Sequence, residues 1–250
     1  FLPENAAAPG GSISPYSSDT VEETDEDGQV EKDEQDQSEE TDVSSETVPR
    51  QLYLLDVNNM LVPQTIELPK PESKEVAAQV VEYLVKGGPI TPLLPNGFQA
   101  VLPEGTEVLG MNLQEDGTLI VDLSEEFTNY RPEEELLILE SLTYTLTQFD
   151  TVERIKLMIN GELLTEMPVN GTPIASGYSR ANGINLIDTD TIDFITSSAV
   201  TMYFPAEFND NRYYVPVTAH VDTSDGNLYR SIGHARIDGP GHHQKNTVHV

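Results

Sequence analysis

The 250 residues contain no cysteine. Disulfides, thiol catalysis and cysteine-based zinc sites are therefore excluded. Basic side chains are scarce, 13 against 43 acidic, for a formal net charge of −30. Nucleic acid is excluded as a partner on that ground, because phosphate contacts need Lys and Arg. Direct electrostatic docking on anionic lipid is excluded for the same reason. No run approaches the roughly 18 apolar residues of a membrane-spanning helix. No signal peptide is visible and the first residue is Phe1, which reads as a processed or truncated chain.

Charge is distributed unevenly. Residues 1–50 hold 15 acidic side chains, with only Lys32 and Arg50 as bases. Between Asp19 and Glu46 the only aliphatic side chains are Val21, Val30 and Val43. So little apolar surface cannot offset the entropy of ordering the segment. A disordered, self-repelling acidic tether is expected over 1–50. Within it, Glu23, Asp25, Asp27, Gly28, Val30 and Glu34 match the spacing of a calcium loop. No amphipathic helix flanks the match, so it is read as chance in an acidic run.

Folded structure is expected from Gln51 onward. Leu52–Leu55 and Leu61–Leu68 read as strands around a turn at Asn58-Asn59. Ser73 can cap a helix whose Val76, Val80 and Leu84 share one face, and Gly87-Gly88-Pro89 ends it. A Pro-rich loop is expected over 90–103. Thr106–Leu113 and Leu119–Leu123 form a second hairpin, turning at Glu115-Asp116-Gly117. Alternation places Leu109, Met111 and Leu113 toward the core. Pro132 and Glu133–Glu135 open a second helix with a stripe of Leu139, Leu142, Leu146 and Phe149. Arg154–Asn160 is a final strand, closed by Asn160-Gly161.

The order β-β-α-β-β-α-β predicts an α+β fold, two helices on a mixed sheet, within about 51–165. Val200–Phe204 and Val215–Thr218 parallel Gln51–Leu55 and Val62–Thr65, and Gly239-Pro240 echoes Gly88-Pro89. Such fixed-order similarity implies a tandem copy. The expected organisation is thus a tether (1–50), a first domain (51–165), an interdomain segment (166–198) and an incomplete second domain (199–250).

Four stretches carry a family resemblance. They are Leu102-Pro103-Glu104-Gly105-Thr106, Val121-Asp122-Leu123-Ser124-Glu125-Glu126-Phe127, Thr145-Leu146-Thr147-Gln148-Phe149 and Ile159-Asn160-Gly161. In this order and spacing the chain resembles the GerMN domain family. Pro173-Ile174, Gly177–Arg180 and Gly183–Leu186 resemble the segment that joins two such domains.

The resemblance implies a fold similar to the ring-building modules of secretion machines. It implies a non-enzymatic role in sporulation and germination of endospore-forming bacteria. The partners implied are sporulation channel proteins between mother cell and forespore, with possible self-association. The place implied is the outer face of the membrane, held by a lipid anchor that this chain does not show. Cell-wall binding or cortex modification is the alternative.

No catalytic, cofactor or metal residue is assigned. His220, His234, His242, His243 and His249 all fall in the last 31 residues, without an H-E-x-x-H pattern. Asp122 with Glu125 or Glu126 could serve as an acid/base pair on a glycan, but reads better as a strand exit.

Overall fold

The computed structural model describes residues 46–70, 76–186 and 197–222. The calcium-loop match, Ser73, Gly239-Pro240 and every histidine but His220 lie outside them. The described elements follow the expected order. They are β1 (Thr47–Leu55), β2 (Leu61–Pro69), α1 (Val76–Glu82), β3 (Val108–Leu113), β4 (Thr118–Leu123), α2 (Glu135–Leu146) and β5 (Arg154–Ile159). Two short strands follow, β6 (Glu162–Leu163) and β7 (Tyr178–Ser179), then the long strands β8 (Ser197–Phe208) and β9 (Asn211–Asp222).

Strand β1 begins four residues inside the expected tether. Val48 stands opposite Leu68 and Arg50 opposite Ile66, so Thr47–Arg50 extend the first hairpin. Pairing with an apolar partner strand orders a segment whose own composition reads as polar. The hairpin turn is built by Asp56, whose Oδ1 accepts from the N–H groups of Asn58 (2.8 Å) and Met60 (2.9 Å). Asn59 takes the left-handed conformation there, φ 59°.

The mixed sheet runs β3-β4-β5-β6, with β4 and β5 parallel and β7 also paired to β5. A parallel pair needs a crossover, and α2 supplies it. Central β4 lies between β3 and β5, and Leu119 and Val121 of its apolar run Leu119-Ile120-Val121 are buried on the face that meets the core. Strand β3 contains a register shift between Val108 and Gly110. This bulge inserts one residue and breaks the period-two alternation. Leu109 is consequently 50% exposed, against the expectation, while Val108 and Met111 pack on the core. Leu113, also expected inside, is 45% exposed at the end of an edge strand.

The Pro-rich loop is less peripheral than its composition suggests. Phe98, Ala100, Val101 and Leu102 are buried. Gln99 bridges Leu55, and Leu102 bridges Val85. The loop is thereby a stitch between β1 and the end of α1. Gly87, at φ 71°, is the left-handed residue that turns the chain out of α1.

Helix α2 is buried from Ile138 through Leu146, not along one stripe only. It needs cover on more than one side. The β1–β2 hairpin is a separate two-stranded sheet along one flank, while β5, β7 and α1 pack on others. The β8–β9 hairpin, tightened by Asn209 and Asp210 at φ 47° and 62°, packs its β9 against β2.

Candidate functional site

Motif residues Thr145 and Gln148, at the end of α2, and Ser141 one turn earlier grip the edge of β1. Ser141 Oγ donates to the Tyr53 carbonyl at 2.7 Å. Thr145 Oγ1 accepts from the Tyr53 N–H at 3.1 Å. The Gln148 amide accepts from Gln51 N–H (3.1 Å) and donates to Gln51 C=O (2.8 Å). Spacing of four and three residues places these three polar groups on one helix face. They satisfy edge groups that another strand would otherwise pair. Pro63 stands opposite Tyr53. Because Tyr53 turns its backbone groups toward α2, the missing proline N–H costs no ladder bond.

The other motifs bind one another. Ser124 Oγ accepts from Glu107 N–H, and Ser124 N–H donates to Glu107 C=O, both at 3.0 Å. Asp122 Oδ1 accepts from Gly161 N–H at 3.0 Å, tying the exit of β4 to the turn after β5. Glu126 is exposed, and its hydrogen bond with the Ser124 side chain holds its carboxyl below the usual range. A general acid on a glycan needs the opposite shift. The expected reading of these residues as strand-exit groups agrees with these bonds. Among the described residues no three His, Cys, Asp or Glu side chains group as metal ligands.

Sequence reasoning missed three groups. The first is Glu135, fully buried at the start of α2. Its carboxylate accepts from the Tyr130 hydroxyl, the N–H groups of Val169, Asn170 and Thr172, and the Thr172 hydroxyl, at 2.6–3.1 Å. Burial pushes its pKa up, but these donors, Thr172 foremost, outweigh it and leave the group below normal. The same contact pushes the Tyr130 hydroxyl up, after burial.

The second is Arg180. Its guanidinium donates to Thr147 Oγ1 (2.7 Å) and to the Tyr144 carbonyl (2.9 Å) at the C-terminal end of α2. Positive charge is favourable at that end of a helix dipole. The same group lies 4.7 Å from the Tyr144 ring centroid and 5.8 Å from that of Tyr53.

The third is Asn185, φ 49°, in the segment expected to join the domains. Its side chain accepts from Leu61 N–H and donates to Leu61 C=O, both at 2.8 Å, and donates to Pro216 C=O at 2.7 Å. Its backbone N–H donates to Glu140 Oε2 at 3.0 Å. One residue thus joins β2, β9 and α2. Tyr213 OH on Asp56 Oδ2 (3.0 Å) and the Tyr213–Phe98 ring contact hold the other end of β9.

The two hairpins can now be superposed residue by residue. Tyr203 pairs with Pro216 and Thr201 with Thr218, as Tyr53 pairs with Pro63 and Gln51 with Thr65. Tyr203 therefore corresponds to Tyr53, one residue from the alignment read in the sequence. Tyr53 is 5% exposed under α2, whereas Tyr203 is 63% exposed.

Comparison with known proteins gives these motifs a common origin. A family model described as Germane, sporulation and spore germination, matches residues 51–165. The solved structure of the first GerMN domain of the sporulation protein GerM from Bacillus subtilis is 53% identical; 98% of it and 54% of this chain are covered, with a TM-score of 0.50. The chain belongs to the GerMN family. The structure of the tandem GerMN domains of the same protein matches at 50% identity and a TM-score of 0.68, covering 72% of this chain and 62% of that one. The spore germination protein GerM of Bacillus subtilis strain 168 is 50% identical over 179 residues, 72% of this chain. This GerMN chain spans about half, 48%, of the length of that curated relative. As in the tandem relative, its fold is α+β, with two helices on mixed sheets.

Proposed function

We propose that the chain is a non-enzymatic assembly module of sporulation and germination, acting outside the cytoplasm. One observation carries the reading. The polar motif residues Ser124, Thr145 and Gln148, with Asp122, make hydrogen bonds to backbone groups inside the fold and do not converge on an open cavity. Groups that secure a scaffold leave its surface to do the work. No helix of the described residues is long and apolar enough to cross a membrane. The tandem GerMN likeness supports a scaffold held at the outer face of the membrane by a lipid anchor. Its partners in this reading are proteins of the channel between mother cell and forespore.

Crosslinking of tagged full-length protein in sporulating cells, followed by affinity purification, tests the proposal. Channel proteins should be enriched. Recovery of the protein alone would reject it.

A cell-wall reading has one observation in its favour. Exposed Tyr203 and Tyr214, with Gln64 and Asn211, line a groove of about 580 Å³. Aromatic faces beside amides suit a sugar. Co-sedimentation with purified cortex peptidoglycan that is lost in Tyr203→Ala would support glycan binding. Muropeptide release sensitive to Asp122→Asn would make the module an enzyme.

A further inference from the structure

We infer that β3 is a docking edge for an extended segment of a partner protein, added antiparallel and carrying basic residues at its C-terminal end. Strand β3 terminates the mixed sheet and has no strand on its outer side among the described residues. Gln114 N–H bonds Thr118 C=O across the hairpin. By the alternation of an antiparallel ladder, Met111 and Leu113 then direct their own N–H and C=O groups away from β4. Such a row is a template for another strand.

Of the usual protections, charge and proline are missing, and the bulge and the neighbouring α1 remain. Val108–Leu113 contains no charge and no proline. Leu109 and Leu113 are half exposed, and nothing lies within 4 Å of where a Cβ on Gly110 would stand. The bulge turns Leu109 outward instead of removing the edge. By contrast, the outer edge of β1 in the same domain is closed by Ser141, Thr145, Gln148 and the Gln99 backbone. The fold closes one edge and leaves the other open.

Charge selects the occupant. The N-terminal end of β3 opens into a groove of about 630 Å³ whose walls include Glu82, Glu104 and Glu107. The cation beside them, Lys86, is engaged with Glu134 at 3.1 Å. A strand lying antiparallel on β3 delivers its C-terminal end to this groove, where Lys or Arg would be attracted. A second copy of this chain fits worse. Residues 51–165 hold 19 acidic against 6 basic side chains, and self-pairing centred on Met111 sets Glu107 against Glu115. Like charges directly opposite destabilise a strand pair.

This places a partner surface on the assembly module proposed above and rests on that reading. The test uses the whole chain and a short labelled peptide of alternating valine and threonine with two C-terminal lysines. Fluorescence anisotropy should show saturable binding, at least tenfold tighter than for peptides with two C-terminal glutamates or with the lysines at the N-terminus. Hydrogen exchange should slow at Met111 and Leu113. Met111→Pro removes an outward N–H together with a side chain that packs on the core, and should abolish binding. Leu109→Lys, which leaves the backbone intact, should weaken it at least tenfold if the proline variant fails to fold. Equal binding of the glutamate peptide, protection elsewhere, no saturation at millimolar peptide, or dimerisation of the chain through β3 would each overturn the inference. Channel proteins still recovered from cells by an edge variant would reject β3 alone and leave the module standing.

Discussion

The side chain of Asn185 pairs with both backbone groups of Leu61, 124 positions away, as a neighbouring strand would. Its second amide hydrogen reaches Pro216, so the contact also holds the two hairpins together. Asn185→Ala should leave Leu61 N–H and C=O and Pro216 C=O unsatisfied in a buried setting. About 2–4 kcal/mol of stability should be lost, measured by urea denaturation. Asn185→Gly removes the same bonds but relieves the positive φ, so it should be the milder of the two. Equal stability of both variants with the parent would show that the joint contributes nothing.

Closure of the β1 edge makes a second expectation. Thr145→Val keeps the shape of the side chain and removes its acceptor, leaving the buried Tyr53 N–H without a partner. A loss of about 1–3 kcal/mol is expected. Amide exchange at Gln51 and Tyr53 should accelerate in Gln148→Ala, while β4 and β5 stay protected.

Glu135 anchors the Val169–Thr172 loop with one carboxylate. Glu135→Ala should release that loop and cost about 3–5 kcal/mol, since several hydrogen bonds to a charged group, each about 1.5–3 kcal/mol, are lost together. Proteolytic nicking near Asn170 is the direct readout. Because the folded pKa lies below its ordinary value, the carboxylate contributes stability above the unfolded pKa. That contribution should be lost as pH falls below about 4.5.

Glu140 has the opposite dependence. It is buried, with Asn185 N–H as a donor, and burial raises its pKa to about 7. The folded state therefore keeps a proton that the unfolded chain has released. Its contribution is full below about pH 4.5 and declines as pH rises through 7. A shift from 4.5 to about 7 corresponds to about 3 kcal/mol. Glu140→Gln should flatten this decline and be more stable than the parent at pH 8, by thermal denaturation. A parallel pH profile for the variant would refute the assignment.

Much of the local structure is legible in the sequence. The turns at Asn58-Asn59, Asp116-Gly117 and Asn160-Gly161 follow from residues that tolerate positive φ. The start of α2 follows from Pro132 and three glutamates. The family motifs were visible, but their use was not. Ser141, Thr145 and Gln148 share a helix face in any reading, yet nothing local says that the face meets a strand edge. Alternation turns Leu109 the wrong way because a bulge has no reliable mark in six residues. Composition alone places Thr47–Arg50 in the tether, because their order comes from pairing with β2.

By itself the sequence determined the element order, the turns, the acidic balance and membership of the GerMN family. These depend on interactions within about ten residues or on composition. Only the tertiary structure decided that α2 closes one sheet edge, that β3 stays open and that Asn185 joins two hairpins. The reason is physical. Which backbone groups remain unpaired is known only after the sheets have formed, and side chains distant in sequence are then selected to satisfy them.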